Sequence, residues 1–277
     1  MSVIQVQNLT RDYGSGKGIF DLSIHVDSGE IFGFLGPNGA GKTTTIRHLM
    51  GFIRPQTGRC QIDGKNCWEK RDQIQKRLGY IPGEISFFDD MTGREFLKFS
   101  LDYRKIKNGN RMQELLERFE LDAKGKIKKM SKGMKQKIGI VAAFMHDPDI
   151  LILDEPTSGL DPLMQNRFIE LLEEEKKKGK TILLSSHIFE EVEKTCDRIG
   201  MIRNGRLVTV DSVETLRSRH MHTYTVRLDT PEEAEAFAKD FGGICHTDRV
   251  TVTAKQGLEE IFMDYYGGKP DDSVDFV

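Results

Sequence analysis

The stretch GPNGAGKTT, residues 36–44, decides the fold. It matches G-x-x-x-x-G-K-[ST] at every fixed position. The apolar run IFGFLG before it reads as a buried strand, and helix formers from Thr43 to Met50 follow it. A tight turn with a chance lysine would need neither flank. Gly36, Gly39 and Gly41 let the backbone curl through Pro37, Asn38 and Ala40, so that several N–H groups converge on one point, where the positive end of the following helix also lies. That arrangement suits a polyphosphate. Lys42 adds a mobile charge, and the Thr43 hydroxyl, followed by Thr44, offers an oxygen to a magnesium ion.

A second stretch, ILILDEPTSGLD at residues 150–161, runs four apolar residues straight into two carboxylates. Ionised groups at the edge of a core are costly unless something there needs them. Downstream, TILLSS, FEEVEKTC and RIGMI alternate strand with helix around a helix from Pro162 to Lys178, the pattern of a parallel α/β sheet. In such a sheet the strand ending at Leu153 brings Asp154 and Glu155 to the carboxyl edge where the loop at Gly36 opens. Asp154 can then hold the magnesium shell through water, and Glu155 can take a proton from a water attacking the terminal phosphate. A plain solvated strand end is the competing reading.

The remaining composition is that of an ordinary globular chain. Of 277 residues, 38% are apolar and 30% charged, and the net charge of −2 gives no basic excess of the kind that phosphate-backbone binders carry. No stretch approaches the roughly 20 apolar residues of a membrane span, and the N-terminus lacks a secretory pattern. The expectation is a cytosolic protein. Cys60, Cys67, Cys196 and Cys245 form no C-x-x-C pair and read as reduced and structural. His220 and His222 lack further ligands nearby, which argues against a metal site.

Around this centre the chain divides. Val3 to Glu30 alternates as strands do across the turn YGSGKG, so an antiparallel β region opens the chain. REFLKFSLDY and RMQELLERFEL repeat apolar residues at helical spacing, marking a helical insert at about residues 84–145. Asn204-Gly205 signals a hairpin into RLVTV. The main domain is expected to span residues 1–211. Residues 212–277 are expected to form a small α+β accessory region, with strands at TYTVRL and RVTVTA, helices from Pro231 to Asp240 and near LEEIFMDYY, and an acidic tail from Lys269. The run Glu173 to Lys178 reads as a solvated helix face.

With these motifs in order, the chain from about Ile4 to Val210 resembles the nucleotide-binding subunits of ATP-binding-cassette transporters, a P-loop NTPase family. TSGLD at 157–161 looks like the family's dimer-contact loop through Asp161, and His187 after TILLSS matches its switch histidine. Tyr13 corresponds to the aromatic that stacks on adenine, and MSKGMKQK at 130–137 to the signature sequence. The resemblance implies ATP and magnesium as cofactors, Thr43 and Asp154 as metal-site residues, and Glu155 and His187 as catalytic residues. It also implies a head-to-tail dimer, homo- or heteromeric, in which Ser131 and Gly133 face the ATP of the partner chain.

Two departures stand out. Lys132 and Met134 replace the glycine and glutamine usual in the signature, and Gly83 stands where the family has a glutamine that reaches magnesium and the attacking water, a place Glu84 or a water could fill. Phe87 and Phe88 either face a groove for a membrane partner or pack into the insert. The resemblance implies an ATPase that powers transport, with export the expected direction, through a separate membrane-spanning permease, and a position on the inner face of the cell membrane through that permease. Two other readings share the motifs: a soluble cassette acting on nucleic acid or ribosomes, and a regulatory ATP-binding module without turnover.

Overall fold

The computed structural model describes residues 2–88, 90–219 and 221–255, with backbone only for 217–219, 221–223 and 253–255. The helix expected near LEEIFMDYY, the tail from Lys269 and His220 lie outside the described residues.

Alternation of apolar and polar residues makes β1 (Ser2–Asp12) and β2 (Gly18–Asp27) one-faced strands, with Ile4, Val6, Leu9, Ile19, Leu22, Ile24 and Val26 buried. They pair antiparallel. β3 (Ile31–Leu35) is buried at every residue, as an unbroken apolar run in a central parallel strand should be. It feeds the loop of residues 36–41 and then α1 (Lys42–Leu49). Next come β4 (Thr57–Ile62), β5 (Lys65–Asn66), α2 (Arg71–Gln75) and β6 (Leu78–Ile81). The insert supplies α3 (Gly93–Tyr103), α4 (Asn110–Arg118) and α5 (Lys132–Phe144). The chain returns through β7 (Ile150–Asp154), α6 (Pro162–Lys177), β8 (Thr181–Ser186), α7 (Phe189–Thr195), β9 (Arg198–Arg203) and β10 (Arg206–Ser212).

Two sheets result. One runs β2-β1-β4-β5, and the other β10-β9-β3-β8-β7-β6. β9, β3, β8, β7 and β6 are parallel neighbours, so β3, β7 and β8 present their carboxyl ends at one edge. Asn204 and Gly205, both at positive φ, turn the chain from β9 into the edge strand β10. α1 sits between the sheets: Ile46 and Leu49 share one core with Ile4, Val6, Phe32, Phe34 and Ile152.

Residues Met1–Val210 and Asp211–Val277 form separate compact units. The second contains α8 (Val213–Arg219), β11 (Met221–Arg227), α9 (Pro231–Phe241), β12 (Ile244–His246) and β13 (Arg249–Lys255). Its antiparallel sheet runs β11-β13-β12, with α9 packed on β13.

Glu173, Glu174, Lys177 and Lys178 are exposed, as a solvated helix face requires, but Glu175 departs from that expectation. Glu175 is 1% exposed and bonds Arg111 of α4 at 2.6 Å, Lys178 at 2.8 Å, and Lys180. Burial opposes its charge, yet the lysine hydrogen bonds outweigh it and hold the carboxyl below its ordinary range. Glu174 reaches across to Arg118 at 2.6 Å instead of pairing along its own helix. The run ties α6 to the insert.

Candidate functional site

Strain and close approach shape the loop before α1. Gly41 caps the helix at φ 114, which an L side chain rarely adopts, and a Cβ at Gly36 would lie 2.5 Å from the Ile202 carbonyl oxygen. The first turn of α1 holds no acidic residue and no side chain caps it, so its N–H groups are free to meet an anion. Lys42 is 4% exposed, and its ammonium donates to the Gly36 carbonyl at 2.6 Å and the Pro37 carbonyl at 3.3 Å. Gly205 donates its N–H to Ala40 O, and Phe20 donates to Gly205 O. The start of β2, just after the β1–β2 turn, is thereby linked through Gly205 to the loop. Tyr13 in that turn is half exposed, with the Arg11 guanidinium 5.2 Å from its ring centroid.

Opposite the loop, Asp154 is the last residue of β7 and fully buried. Ser185 donates to its Oδ1, while Oδ2 has no hydrogen-bond partner among the described residues. A Cβ built on Gly83 would lie 3.1 Å from that Oδ2 and 3.8 Å from Thr43 Oγ1. One unpartnered carboxylate oxygen and one hydroxyl thus converge, a hard-oxygen pair that fits magnesium completed by phosphate oxygens and water. No cluster of three or more His, Cys, Asp or Glu suited to a metal exists among the described residues. Burial, and after it the Asp154 charge, push the Tyr80 phenol up to about 12.

Glu155 stands at φ 48, a left-handed backbone uncommon for a non-glycine residue. Its N–H is held by the Ser185 carbonyl at 3.0 Å. This turn sends the side chain away from the Asp154 direction: Glu155 Oε1 meets Lys42 Nζ at 3.2 Å, and Oε2 meets His187 Nδ1 at 2.9 Å. Carboxylate, cation and imidazole form one cluster on the carboxyl edge.

Ser131 and Gly133 belong to a second cluster. Ser131 caps α5, accepting from Met134 N at 3.2 Å, and a Cβ on Gly133 would lie 2.7 Å from the Gly159 oxygen. Lys132 Nζ donates to Ser158 Oγ at 2.9 Å, and buried Gln136 donates to Pro156 O at 2.6 Å. Asp161 caps α6 through Met164 N. The signature segment therefore rests on the loop that leaves Glu155. Gln136, Ser158 and Ser185 were not singled out from the sequence; two serines closing an otherwise apolar strand in TILLSS were the available signal.

A central parallel strand opening into a glycine loop at a helix N-terminus, with a strand-end carboxylate opposite, defines a P-loop nucleotide-binding cassette. Comparison with known proteins agrees. Residues 19–158 match the family model described as ABC transporter. The bacitracin transport ATP-binding protein BcrA of Bacillus licheniformis is 39% identical over 236 residues, covering 84% of this chain and 77% of that protein. The linearmycin resistance ATP-binding protein LnrL of Bacillus subtilis (strain 168) is 35% identical over 255 residues, covering 90% and 82%. A solved ATP-binding subunit of an ABC transporter superposes with TM-score 0.75 at 28% identity, covering 95% of this chain and 99% of that one. The chain belongs to the ABC transporter family, as one of its ATP-binding subunits.

Proposed function

We propose that this subunit binds ATP with magnesium between the 36–44 loop and Asp154 and hydrolyses it, Glu155 accepting the proton of the attacking water. The observation that carries this reading is the Lys42–Glu155–His187 cluster. Magnesium, when bound, neutralises charge on the β- and γ-phosphates. Gly36, Gly39, Gly41 and the first N–H groups of α1 surround the phosphates, and Lys42 adds its charge. A γ-phosphate beside Lys42 draws the ammonium from Glu155. The freed carboxylate takes the proton as the water oxygen bonds to phosphorus and the bond to ADP breaks. His187, already oriented by Glu155, donates a hydrogen bond to the γ-phosphate, and Tyr13 stacks on the adenine. Ser131 and Gly133 complete the site of a second ATP-binding subunit, so turnover belongs to a head-to-tail dimer.

The work done is transport, in the export direction, through a separate membrane-spanning permease that holds the subunit at the inner face of the membrane. No helix among the described residues is long and apolar enough to cross a membrane. Relatives named for bacitracin transport and linearmycin resistance support export. A groove of about 250 Å³ between the core and the insert, lined by Phe52, Tyr80, Ser100 and Arg104, suits a short permease helix. Phe88, Phe99 and Tyr103 form a line of exposed aromatic rings on and beside α3, the helix that carries Ser100, and Phe87 packs 5.0 Å from Phe96.

The test is isolation of tagged chain from gently solubilised membranes, with Phe99→Glu and Tyr103→Glu as controls. A polytopic membrane protein that accompanies the wild type and is lost from both variants is expected. Recovery of ribosomes or nucleic acid in its place would contradict the transport reading.

A further inference from the structure

One buried carboxylate joins the two loops that carry His187 and Glu155, and no step above uses it. Glu191 lies in the first turn of α7 and is 5% exposed. Its Oε2 accepts from Ser186 Oγ at 2.7 Å, and that same Oγ accepts from Ile188 N at 3.0 Å. The residues on both sides of His187 are therefore fixed through Glu191. Ser186 also reaches the phosphate loop, its carbonyl accepting from Gly36 N at 3.4 Å. On the other flank, Glu191 and Ile188 share the lining of a cavity of about 160 Å³ with Thr157, two residues beyond Glu155.

Burial pushes the Glu191 carboxyl up, and the Ser186 and Thr157 hydroxyls pull it back. Its Oε1 has no hydrogen-bond partner among the described residues. A half-partnered buried carboxylate is costly to stability, and an apolar side chain would fill the place at less cost. An acidic residue favouring the N-terminus of a helix would account for Glu191 at the surface, as it does for exposed Glu190, but not for its burial against Ser186.

We propose that Glu191 is a positioning residue: through Ser186 it fixes His187 against Glu155, and beside Thr157 it ties that pair to the loop running to Asp161. The inference rests on the reading of Glu155 and His187 given above. Glu191 touches no reacting atom. Its effect passes through the imidazole, so its loss should slow the chemical step without weakening nucleotide binding.

The experiment is magnesium-dependent ATP hydrolysis by the purified full chain, comparing Glu191→Leu, Glu191→Gln and Ser186→Ala in wild-type and His187→Ala backgrounds. Glu191→Leu should lower kcat by about tenfold or more with KM within about twofold, the mark of lost positioning. Glu191→Gln, which still accepts from Ser186, should recover most of the rate. In the His187→Ala background, the leucine change should cost less than about twofold further, because residues acting as a unit are not additive. Where the leucine variant does not fold, Ser186→Ala should show the same fall in kcat and the same loss of effect without His187. Full kcat in both Glu191→Leu and Ser186→Ala, a glutamine variant as slow as leucine, or an undiminished penalty without His187 would each overturn the proposal. Full turnover by Glu155→Gln would overturn the reading beneath it instead.

Discussion

Lys42 is nearly buried and spends its hydrogen bonds on two loop carbonyls and Glu155. A charge-assisted contact to phosphate contributes about 1.5–3 kcal/mol, so Lys42→Ala should weaken ATP binding by roughly ten- to a hundredfold. Calorimetric titration measures this, and unchanged affinity would remove Lys42 from the site. Gly41 gives a separate test. At φ 114, Gly41→Ala should lower stability by about 1–3 kcal/mol and impair nucleotide binding together, read by urea unfolding and titration. A variant of wild-type stability would show that the loop relaxes freely. The phosphate loop and the pair Asp154 and Glu155 could be read from spacing because their chemistry is local to the chain. The unpartnered Asp154 oxygen facing Thr43 and the joining of Glu155 to both Lys42 and His187 could not, since they depend on register between β3, β7 and β8.

Two buried histidines contribute to the pH dependence of stability. His146 packs between α5 and β6, bonding the Leu78 carbonyl at 3.0 Å, and burial followed by the Arg104 charge lowers its pKa to about 4. His48 is shifted the same way by burial. A folded-state pKa below the unfolded value near 6.5 means that the unfolded chain binds the extra proton first. The contribution of each such histidine is then full above about pH 6.5 and is lost toward pH 4 at up to about 1.4 kcal/mol per unit. His146→Gln should flatten that slope in part, as measured by urea unfolding across this range; an unchanged slope would place the titration elsewhere.

At the level of helices and strands, α4 and α6 are held by charge as much as by apolar contact. Arg111 pairs with Glu175 and Arg118 with Glu174, while Arg167 bonds Glu120 and the Arg118 carbonyl. Removing one partner of a buried pair leaves uncompensated charge, so Glu175→Ala should destabilise the fold by about 3–5 kcal/mol, whereas exposed Glu170→Ala should cost under about 1 kcal/mol. Equal, small losses on urea unfolding would mean that the network is solvated. From the sequence this run looked like a surface helix because EEEKKK carries no mark of its neighbours. β4 carries no strand pattern of its own: TGRCQI mixes glycine and arginine into the strand, and its identity comes from pairing with β1. The central strands β3, β7 and β8 are legible because burial on both faces leaves largely apolar runs, while β1 and β2 are legible from their alternation.

In the proposed head-to-tail dimer, the subunit would present half of two composite sites. Its loop and carboxylates are the part proposed to face one nucleotide, and Ser131 and Gly133 lie on the segment proposed to meet the other. Lys132 to Ser158 and Gln136 to Pro156 connect that segment to the loop leaving Glu155, which gives the proposed dimer a physical path between the segment and that carboxylate. The central claim is that Glu155 takes the proton of the attacking water inside such a dimer. The most direct measurement is magnesium-dependent phosphate release by wild-type and Glu155→Gln protein, with dimer content followed by sedimentation in the same samples. Turnover should fall by about 10²- to 10⁴-fold while ATP drives the variant into stable dimers. Phosphate release at the wild-type rate by Glu155→Gln would contradict the account.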